Sequence, residues 1–130
     1  MHITEEEREE IAAQFGLWNE ALQTGDAGQV AKLYAPDATL LPTISNEVRQ
    51  TPHAIQDYFE EFLELKPRGT ILSQKIRLFG DVATNSGIYK FLLSDQDEDR
   101  VVVARFSFVY TRDGDGWKII EHHSSMMPEA

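Results

Sequence analysis

The chain has 130 residues, which suits one domain, residues 1–130, with a single hydrophobic core. Its 22 acidic and 12 basic residues give a formal net charge of −10, and such a surface repels phosphate backbones and anionic lipid, which argues against nucleic acid and membranes as partners. The lack of cysteine excludes disulfides, zinc–thiolate sites and thiol chemistry. Because the N-terminus is also unlike a signal peptide, we expect a cytoplasmic protein.

The first predicted helix begins at a capping box and ends at a glycine. Thr4 and Glu7 have the spacing at which side chains and backbone cap each other, and the acidic residues between them suit the positive end of the helix dipole. Gly25 is placed to end the helix. The apolar residues recur at spacings of four, three and four and form one stripe: Ile11, Phe15, Trp18 and Leu22.

Two further helices are predicted in the first half. Asp26 can cap a short second helix that turns Tyr34 inward and stops at Pro36. Thr51 and Pro52 have the residue types of an N-cap and a first helical position. The third helix that they begin presents an aromatic-rich stripe: Ile55, Tyr58, Phe59, Phe62 and Leu63.

The segments between and after the helices have strand patterns. A short apolar run over 38–41 is closed by Pro42 and is predicted to be an edge strand, and a loop over 43–50 follows it. From Arg68 the hydrophobic period becomes two, and turn residues divide this region. The predicted strands are 68–79, 82–93, 100–110 and 117–126, with a polar acidic loop over 94–99.

Helices in the first half and hairpins in the second half predict an α+β fold. We expect three N-terminal helices packed in the concave face of a strongly curved antiparallel sheet. Strands of ten residues or more twist and curl, and a curled sheet has a hollow side. Where the helices leave part of that hollow empty, a pocket remains.

Polar residues interrupt the apolar run of the third long strand. Arg105 and Ser107 lie among valines and phenylalanines, and a guanidinium in such surroundings pairs either with a ligand carboxylate or with an internal Glu121. If these side chains point into the hollow, alternation along the strand places three aromatic side chains outside: Phe106, Phe108 and Tyr110. An aromatic patch needs a cover, so we expect a homodimer or a higher oligomer formed through the sheet.

The last strand ends in two histidines and two serines. His122 and His123 point to opposite faces, and Ser124 shares the face of His122, although a bulge after Trp117 would exchange the pairs. One of the two histidines is therefore a candidate general acid or base, or a hydrogen-bond partner beside a serine, since imidazole titrates near neutral pH. A capped strand end at a subunit interface is the structural alternative.

Two other arrangements are disfavoured at this strand end. A Ser/His nucleophile pair needs side chains that face each other, and neighbours in a strand do not. A zinc site from Glu121, His122 and His123 fails for the same reason unless His2 or His53 joins it from elsewhere. We therefore expect no metal and no cofactor.

Further residues are candidates for lining a pocket. Lys90 stands between two aromatic residues and either lines the hollow or reaches solvent. Asn46 and Arg49 belong to the predicted loop at the mouth, where Arg49 either rims the pocket or braces the loop against an acidic neighbour. On the helix side, core packing and a ligand wall are both compatible with five aromatic residues: Trp18, Tyr34, Tyr58, Phe59 and Phe62.

Short motifs along nearly the whole chain occur in a familiar order. They are Gly25-Asp26, 45–49, Ile55 with Tyr58-Phe59 and Phe62, 78–81, 112–114, and 117–125 with Pro128. In this order they resemble the NTF2-like superfamily and, more closely, the bacterial relatives of the calcium/calmodulin-dependent kinase II association domain, of SgcJ/EcaC type. The resemblance implies a cone built from three helices and a strongly curved sheet.

The resemblance does not select one activity, because such proteins include oligomerising hubs, ligand-binding proteins and enzymes such as isomerases and cyclases. In the kinase hubs, arginines on three successive strands form a basic pocket. The matching positions here are Lys90, Ser107 and Ser124, so only one positive charge is kept.

Three functions follow as alternatives. The first is a homo-oligomer whose cone binds a small, partly apolar ligand, which can be anionic. The second is an enzyme of isomerase, cyclase or oxidoreductase-associated type that uses a strand-end histidine as acid or base, and an internal carboxylate of raised pKa would favour it. The third is a non-catalytic assembly module with a filled cone.

Overall fold

The structure is a computed structural model, and it describes residues 3–114 and 116–128. The elements follow one another as α1 (Glu5–Gln23), α2 (Ala27–Ala31), β1 (Tyr34–Leu41), α3 (Pro52–Phe62), a 3-10 turn (Leu63–Leu65), β2 (Arg68–Phe79), β3 (Val82–Asp95), β4 (Glu98–Asp113) and β5 (Gly116–Met126). Within these ranges, no helix has the length and apolar character that a membrane span requires.

The described strands form one sheet in the order β1-β5-β4-β3-β2, with the helices on its concave face. The predicted α+β class is confirmed, and β1 is an edge strand as expected. One detail differs: β1 runs parallel to β5, whereas the other neighbours are antiparallel, so the sheet is mixed. The third helix connects β1 to β2, so β1 is free to pair with the distant β5.

The helix starts agree with the sequence signals. The Glu7 N–H donates to Thr4 Oγ1 and the Thr4 N–H donates to Glu7 Oε1, both at 3.0 Å, which is the predicted capping box. Asp26 caps α2, and Thr51 caps α3 with Pro52 at its first position. These polar side chains fix where each helix begins because they satisfy N–H groups that have no partner inside the helix.

The end of the second helix was predicted too late. The helix stops at Ala31, and Tyr34 is the first residue of β1 rather than a helical residue. The backbone of Leu33 accepts a hydrogen bond of 3.0 Å from the Ile119 N–H, so pairing with β5 begins before Pro36 is reached. Tyr34 is nevertheless buried and faces the interior.

The acidic segment 94–99 is a tight hairpin rather than a loop. Asp95 pairs with Glu98, so only Gln96 and Asp97 connect β3 to β4. Gln96 adopts a φ of 58°, and this left-handed conformation lets the two strands reverse direction within two residues.

The faces of β4 are the reverse of the expectation. Phe106, Phe108 and Tyr110 are buried in the interior, whereas Arg105 is exposed and Ser107 is half-buried on the outer face. Burial of each phenylalanine side chain contributes roughly 1.5–3 kcal/mol, whereas an inward Arg105 would require burial of a charge. The aromatic set therefore takes the core, and the predicted external aromatic patch does not exist.

Candidate functional site

A bulge in the middle of β5 decides which histidine lies inside. Val109 pairs with Glu121 and Tyr110 pairs with Ile119, which leaves Ile120 as an extra residue. His122 is 2 % exposed, while His123 is exposed on the outer face. His122 is thus the internal histidine, and Ser124 shares its face at 4 % exposure.

Both ring nitrogens of His122 have phenol partners. The Tyr34 hydroxyl lies 2.7 Å from Nδ1, and the Tyr89 hydroxyl lies 3.2 Å from Nε2. The imidazole stacks on Phe108 with ring centroids 4.0 Å apart and an interplanar angle of 15°. Trp18 meets it edge-on at 5.4 Å. Four side chains therefore hold this ring in one orientation.

One proton arrangement gives the polar hydrogens of Trp18, Tyr34, His122 and Tyr89 a partner each. The indole N–H of Trp18 is a donor only, and it donates to the Tyr34 oxygen at 3.2 Å. Tyr34 then donates to Nδ1 of His122, so the neutral imidazole carries its hydrogen on Nε2 and donates to Tyr89. Tyr89 in turn donates to Ser124 Oγ at 2.6 Å.

The cluster continues from the core to the loop that follows β1. The Thr43 hydroxyl donates to Ser124 Oγ, so Ser124 accepts from Tyr89 on one side and from Thr43 on the other. Thr43 belongs to a segment that we call the mouth loop (residues 42–50). Hydroxyl groups thus link the buried histidine to the protein surface.

Burial sets the protonation of the cluster. Desolvation lowers the pKa of His122 to about 3, and the neighbouring His123 adds to this lowering. Burial likewise raises the pKa of Tyr34 and of Tyr89. It raises the pKa of Tyr58 to about 12, although hydrogen bonds to Ile44 and Thr43 oppose that shift. At neutral pH the cluster is therefore uncharged, with His122 as a neutral imidazole and the phenols protonated.

Little space remains beside this cluster. In the cavity that adjoins it, the centre of a water molecule can move within only about 10 Å³, so the cavity holds about one water. Its lining is aromatic and uncharged, with no carboxylate among the lining residues: Trp18, Leu40, Pro42, Thr43, Tyr58, Phe59, Phe62, Tyr89, Phe91, His122 and Ser124. Four of the five aromatic residues expected on the helix side line it, and Tyr34 lies behind them against His122.

The predicted polar residues of the strands do not converge. Lys90 and Arg105 are exposed, and Ser107 lies on the same outer face, whereas Ser124 faces inward. Lys90, Ser107 and Ser124 therefore do not form one pocket. The expected internal partner of Arg105, Glu121, is exposed as well, because both occupy the outward positions of their strands.

The mouth loop is braced by Arg49. Its guanidinium donates to the Ala54 carbonyl at 3.2 Å, lies 3.7 Å from the Glu47 carboxylate and covers the Tyr58 ring at 5.8 Å. This geometry matches the bracing alternative. Asn46 is exposed and lines an outer cleft of about 290 Å³ on the other side of the loop.

The residues of the disfavoured zinc site do not converge on one point. Glu121 and His123 point away from His122, and no group of three or more metal-binding side chains occurs in 3–114 and 116–128. His53 is exposed on α3, 3.4 Å from Asp57. His2 lies outside the described residues.

Sequence reasoning missed two members of the cluster, Tyr89 and Thr43. Tyr89 alternates with Phe91 on the inner face of β3, a spacing that indicates burial but no polar role. Thr43 carries no local signal, because its partner Ser124 is 81 positions away in the chain.

Comparison with known proteins shows the relationship of the chain. Residues 7–128 match the calcium/calmodulin dependent protein kinase II association domain family. The chain belongs to this family. A solved structure of a candidate association domain from Xanthomonas campestris is 47% identical, covers 98% of this chain and 91% of its own, and superposes with a TM-score of 0.92. No curated protein matches with significant similarity.

More distant structures share the fold of this association domain. An NTF2-like protein with a cystatin-like fold from Novosphingobium aromaticivorans is 15% identical, covers 96% of this chain and 84% of its own, and has a TM-score of 0.80. A candidate dehydratase of the NTF2-like family from Streptomyces avermitilis is 16% identical, covers 93% and 96%, and has a TM-score of 0.82. The predicted resemblance to NTF2-like association domains is confirmed.

Proposed function

We propose that this association-domain protein is a homo-oligomeric assembly module whose protomers meet through the outer face of the sheet. The observation that carries the proposal is the filled interior, with room for about one water beside a neutral, fully bonded histidine. A bound substrate needs space, which this interior lacks, and general acid–base catalysis works best with a group that titrates near neutral pH, which the buried His122 is not. The outer face of the sheet is therefore the surface that we propose for contact between protomers.

The outer face has the character of a contact surface. At its centre Ser86, Ser107 and His123 lie side by side on three neighbouring strands, and the small side chains of the two serines allow a second sheet to approach closely. Half-buried Ile88 and Val109 flank this row. About ten residues on each of four strands cover roughly 19 Å by 33 Å, or about 600 Å², which approaches the roughly 800 Å² per partner of a standard interface.

Sedimentation equilibrium on matched variants tests this proposal. In a twofold dimer, residues near the centre meet their own copies, so Ser107→Arg places two like charges together and should give monomers. Ser107→Ala should leave the dimer intact. Leu17→Arg is the matched control, because Leu17 is 50% exposed on α1, away from the sheet surface. A wild-type protein that is monomeric at tens of micromolar would overturn the proposal.

A second candidate function is the binding of a small ligand behind the mouth loop. The inner cavity and the outer cleft share three lining residues, Pro42, Thr43 and Ser124. The Thr43–Ser124 hydrogen bond therefore lies between two spaces that would join if Thr43 moved. The walls favour a small, partly apolar ligand with a hydroxyl or carbonyl group, and Arg49 is the cation beside Tyr58 that an anionic group would approach.

Ligand binding at this position has its own test. A thermal-shift screen of small aromatic alcohols, ketones and carboxylates should yield compounds that stabilise the wild type. Ser124→Ala should abolish that stabilisation, whereas Ser125→Ala, one position along and outward, should keep it. If stabilising compounds act equally on both variants, they bind elsewhere and the candidate site is wrong.

A further inference from the structure

The outer edge of β2 is covered at one end only. β2 pairs with β3, and the side chain of Asn19 from α1 caps the other side of Gly69. The amide of Asn19 donates to the Gly69 carbonyl at 3.0 Å and accepts from its N–H at 2.8 Å. Asn19 thus takes the place of a neighbouring strand at this point, and the backbone of Gly69 points away from β3.

The register shows which later backbone groups also point outward. Gly69 is paired with Phe91 of β3. Because the N–H and C=O groups of Gly69 point away from β3, those of Phe91 point toward β4. β3 pairs with β4 without a register shift, so the backbone groups of every second residue of β3, counted from Phe91, also point toward β4. Beyond the bulge at Leu72, these residues of β3 face Gln74, Ile76 and Leu78. The N–H and C=O groups of these three residues therefore point outward, and no strand in the described ranges pairs with them.

A basic and apolar groove accompanies the open end of this edge. It has a volume of about 390 Å³ and is lined by Ile3, Arg8, Lys75, Ile76, Arg77, Leu78 and Phe79. Three of its residues are cationic and none is acidic, although the chain carries a net charge of −10. Phe79 is 55% exposed. Among the described residues, Lys75 and Arg77 have no ion pair, and Arg8 has only an exposed one, at 3.9 Å from Glu5.

We propose that the open part of β2, residues 73–79, binds an extended acidic segment of another polypeptide as an added strand. Its backbone pairs with the outward groups of Gln74, Ile76 and Leu78. Alternate side chains of an added strand point to opposite faces, so one set meets Lys75 and Arg77 on the outer side and the other set enters the groove beside Ile76 and Leu78. The expected partner therefore alternates acidic and apolar residues.

The backbone edge of β2 is distinct from the proposed oligomer contact around Ser107, although Lys75 lies beside Ser86 on the outer face and the two surfaces therefore adjoin. The specificity comes from two independent sources. Backbone pairing requires free N–H groups on the partner, and the cationic side chains require acidic residues at alternate positions. An experiment can remove either source without changing the other.

Fluorescence anisotropy with labelled peptides of about seven residues tests the proposal. A peptide of alternating glutamate and valine should bind at low salt, and the same peptide with lysine in place of glutamate should not. Methylation of the peptide N–H groups that would face β2 should weaken binding about tenfold or more, since it removes backbone pairing and keeps the charges.

Protein variants complete the test. Lys75→Glu with Arg77→Glu should also cost about tenfold or more. Lys66→Glu with Arg68→Glu makes the same change of charge near the end that Asn19 closes and should change affinity less than about twofold. All four side chains are exposed, and circular dichroism verifies that both double variants are folded. The proposal is overturned if the glutamate–valine peptide does not bind, if N-methylation has no effect, or if both double variants lose affinity equally.

Discussion

Replacement of the buried histidine should remove a large part of the sensitivity of this protein to acid. Burial lowers the pKa of His122 from 6.5 to about 3 in the folded chain. Between these values the unfolded chain binds a proton at this residue and the folded chain does not. The contribution of His122 to the free energy of unfolding is therefore fully present above pH 6.5 and decreases as the pH falls toward 3. In His122→Gln this contribution is absent.

The size of the effect follows from the shift. Each pKa unit corresponds to about 1.4 kcal/mol, so the whole window from pH 6.5 to 3 is worth about 5 kcal/mol. Between pH 7 and pH 4.5, where about two units are crossed, the wild type should lose about 3 kcal/mol through this residue. That is a large fraction of the 5–15 kcal/mol by which domains are typically stable.

Urea unfolding followed by far-UV circular dichroism at both pH values measures this loss. The acidic residues contribute the same pH dependence to every variant, so the comparison is the change in unfolding free energy from pH 7 to pH 4.5, at one protein concentration. His123→Gln is the matched control, because His123 is exposed and should keep nearly all of the wild-type loss.

The outcome that contradicts the reasoning is specific. If His122→Gln loses as much stability as the wild type between the two pH values, the imidazole is hydrated or already charged at neutral pH. The arrangement in which Tyr34 donates to Nδ1 and Nε2 donates to Tyr89 would then be wrong.

Three further changes have expected results in urea unfolding at pH 7. Tyr89→Phe should cost about 1–3 kcal/mol, because the lost hydroxyl leaves the imidazole N–H without its acceptor; an unchanged midpoint would mean that the hydroxyl is solvated. Gly87→Ala should lower the free energy of unfolding by about 1–3 kcal/mol, because a Cβ there would lie 2.0 Å from the Ser73 carbonyl oxygen. Gly16→Ala is the control: a Cβ there has nothing within 4 Å, and the change should raise the free energy of unfolding by up to about 1 kcal/mol. Equal effects would show that the strands separate easily at the bulge. Thr4→Ala should cost about 1 kcal/mol through loss of the capping box, and no loss would mean that the first turn is frayed.

Local signals predicted much of the fold. The capping box at Thr4, the N-cap at Thr51 and the period-two pattern from Arg68 each depend on neighbours a few residues away, and each has the predicted role. The end of α2 was less predictable, because the pairing of β1 with β5 joins residues about 85 positions apart, such as Tyr34 and Ile119. Non-local pairing of this kind leaves no pattern in either segment alone.

The orientation of β4 shows a different kind of error. The alternating set with Phe106 and Phe108 is more apolar than the set with Arg105 and Ser107, and the aromatic set occupies the core. Two polar residues within an apolar run do not outweigh the burial of the aromatic set, so the predicted aromatic patch is absent from the outer face. The choice between His122 and His123 depends on the extra residue Ile120, and isoleucine is an ordinary strand residue that does not mark a bulge.

The two tryptophans of the chain lie in contrasting surroundings. Trp18 is enclosed at 2 % exposure between Tyr89 and His122, whereas Trp117 is half-buried, stacked under Arg112 at 4.7 Å and bonded to Glu10. The molecule therefore carries an internal fluorophore and a peripheral one. The fluorescence of Trp18 should change when a ligand binds in the inner cavity or when His122 is protonated. The fluorescence of Trp117 provides a reference within the same spectrum.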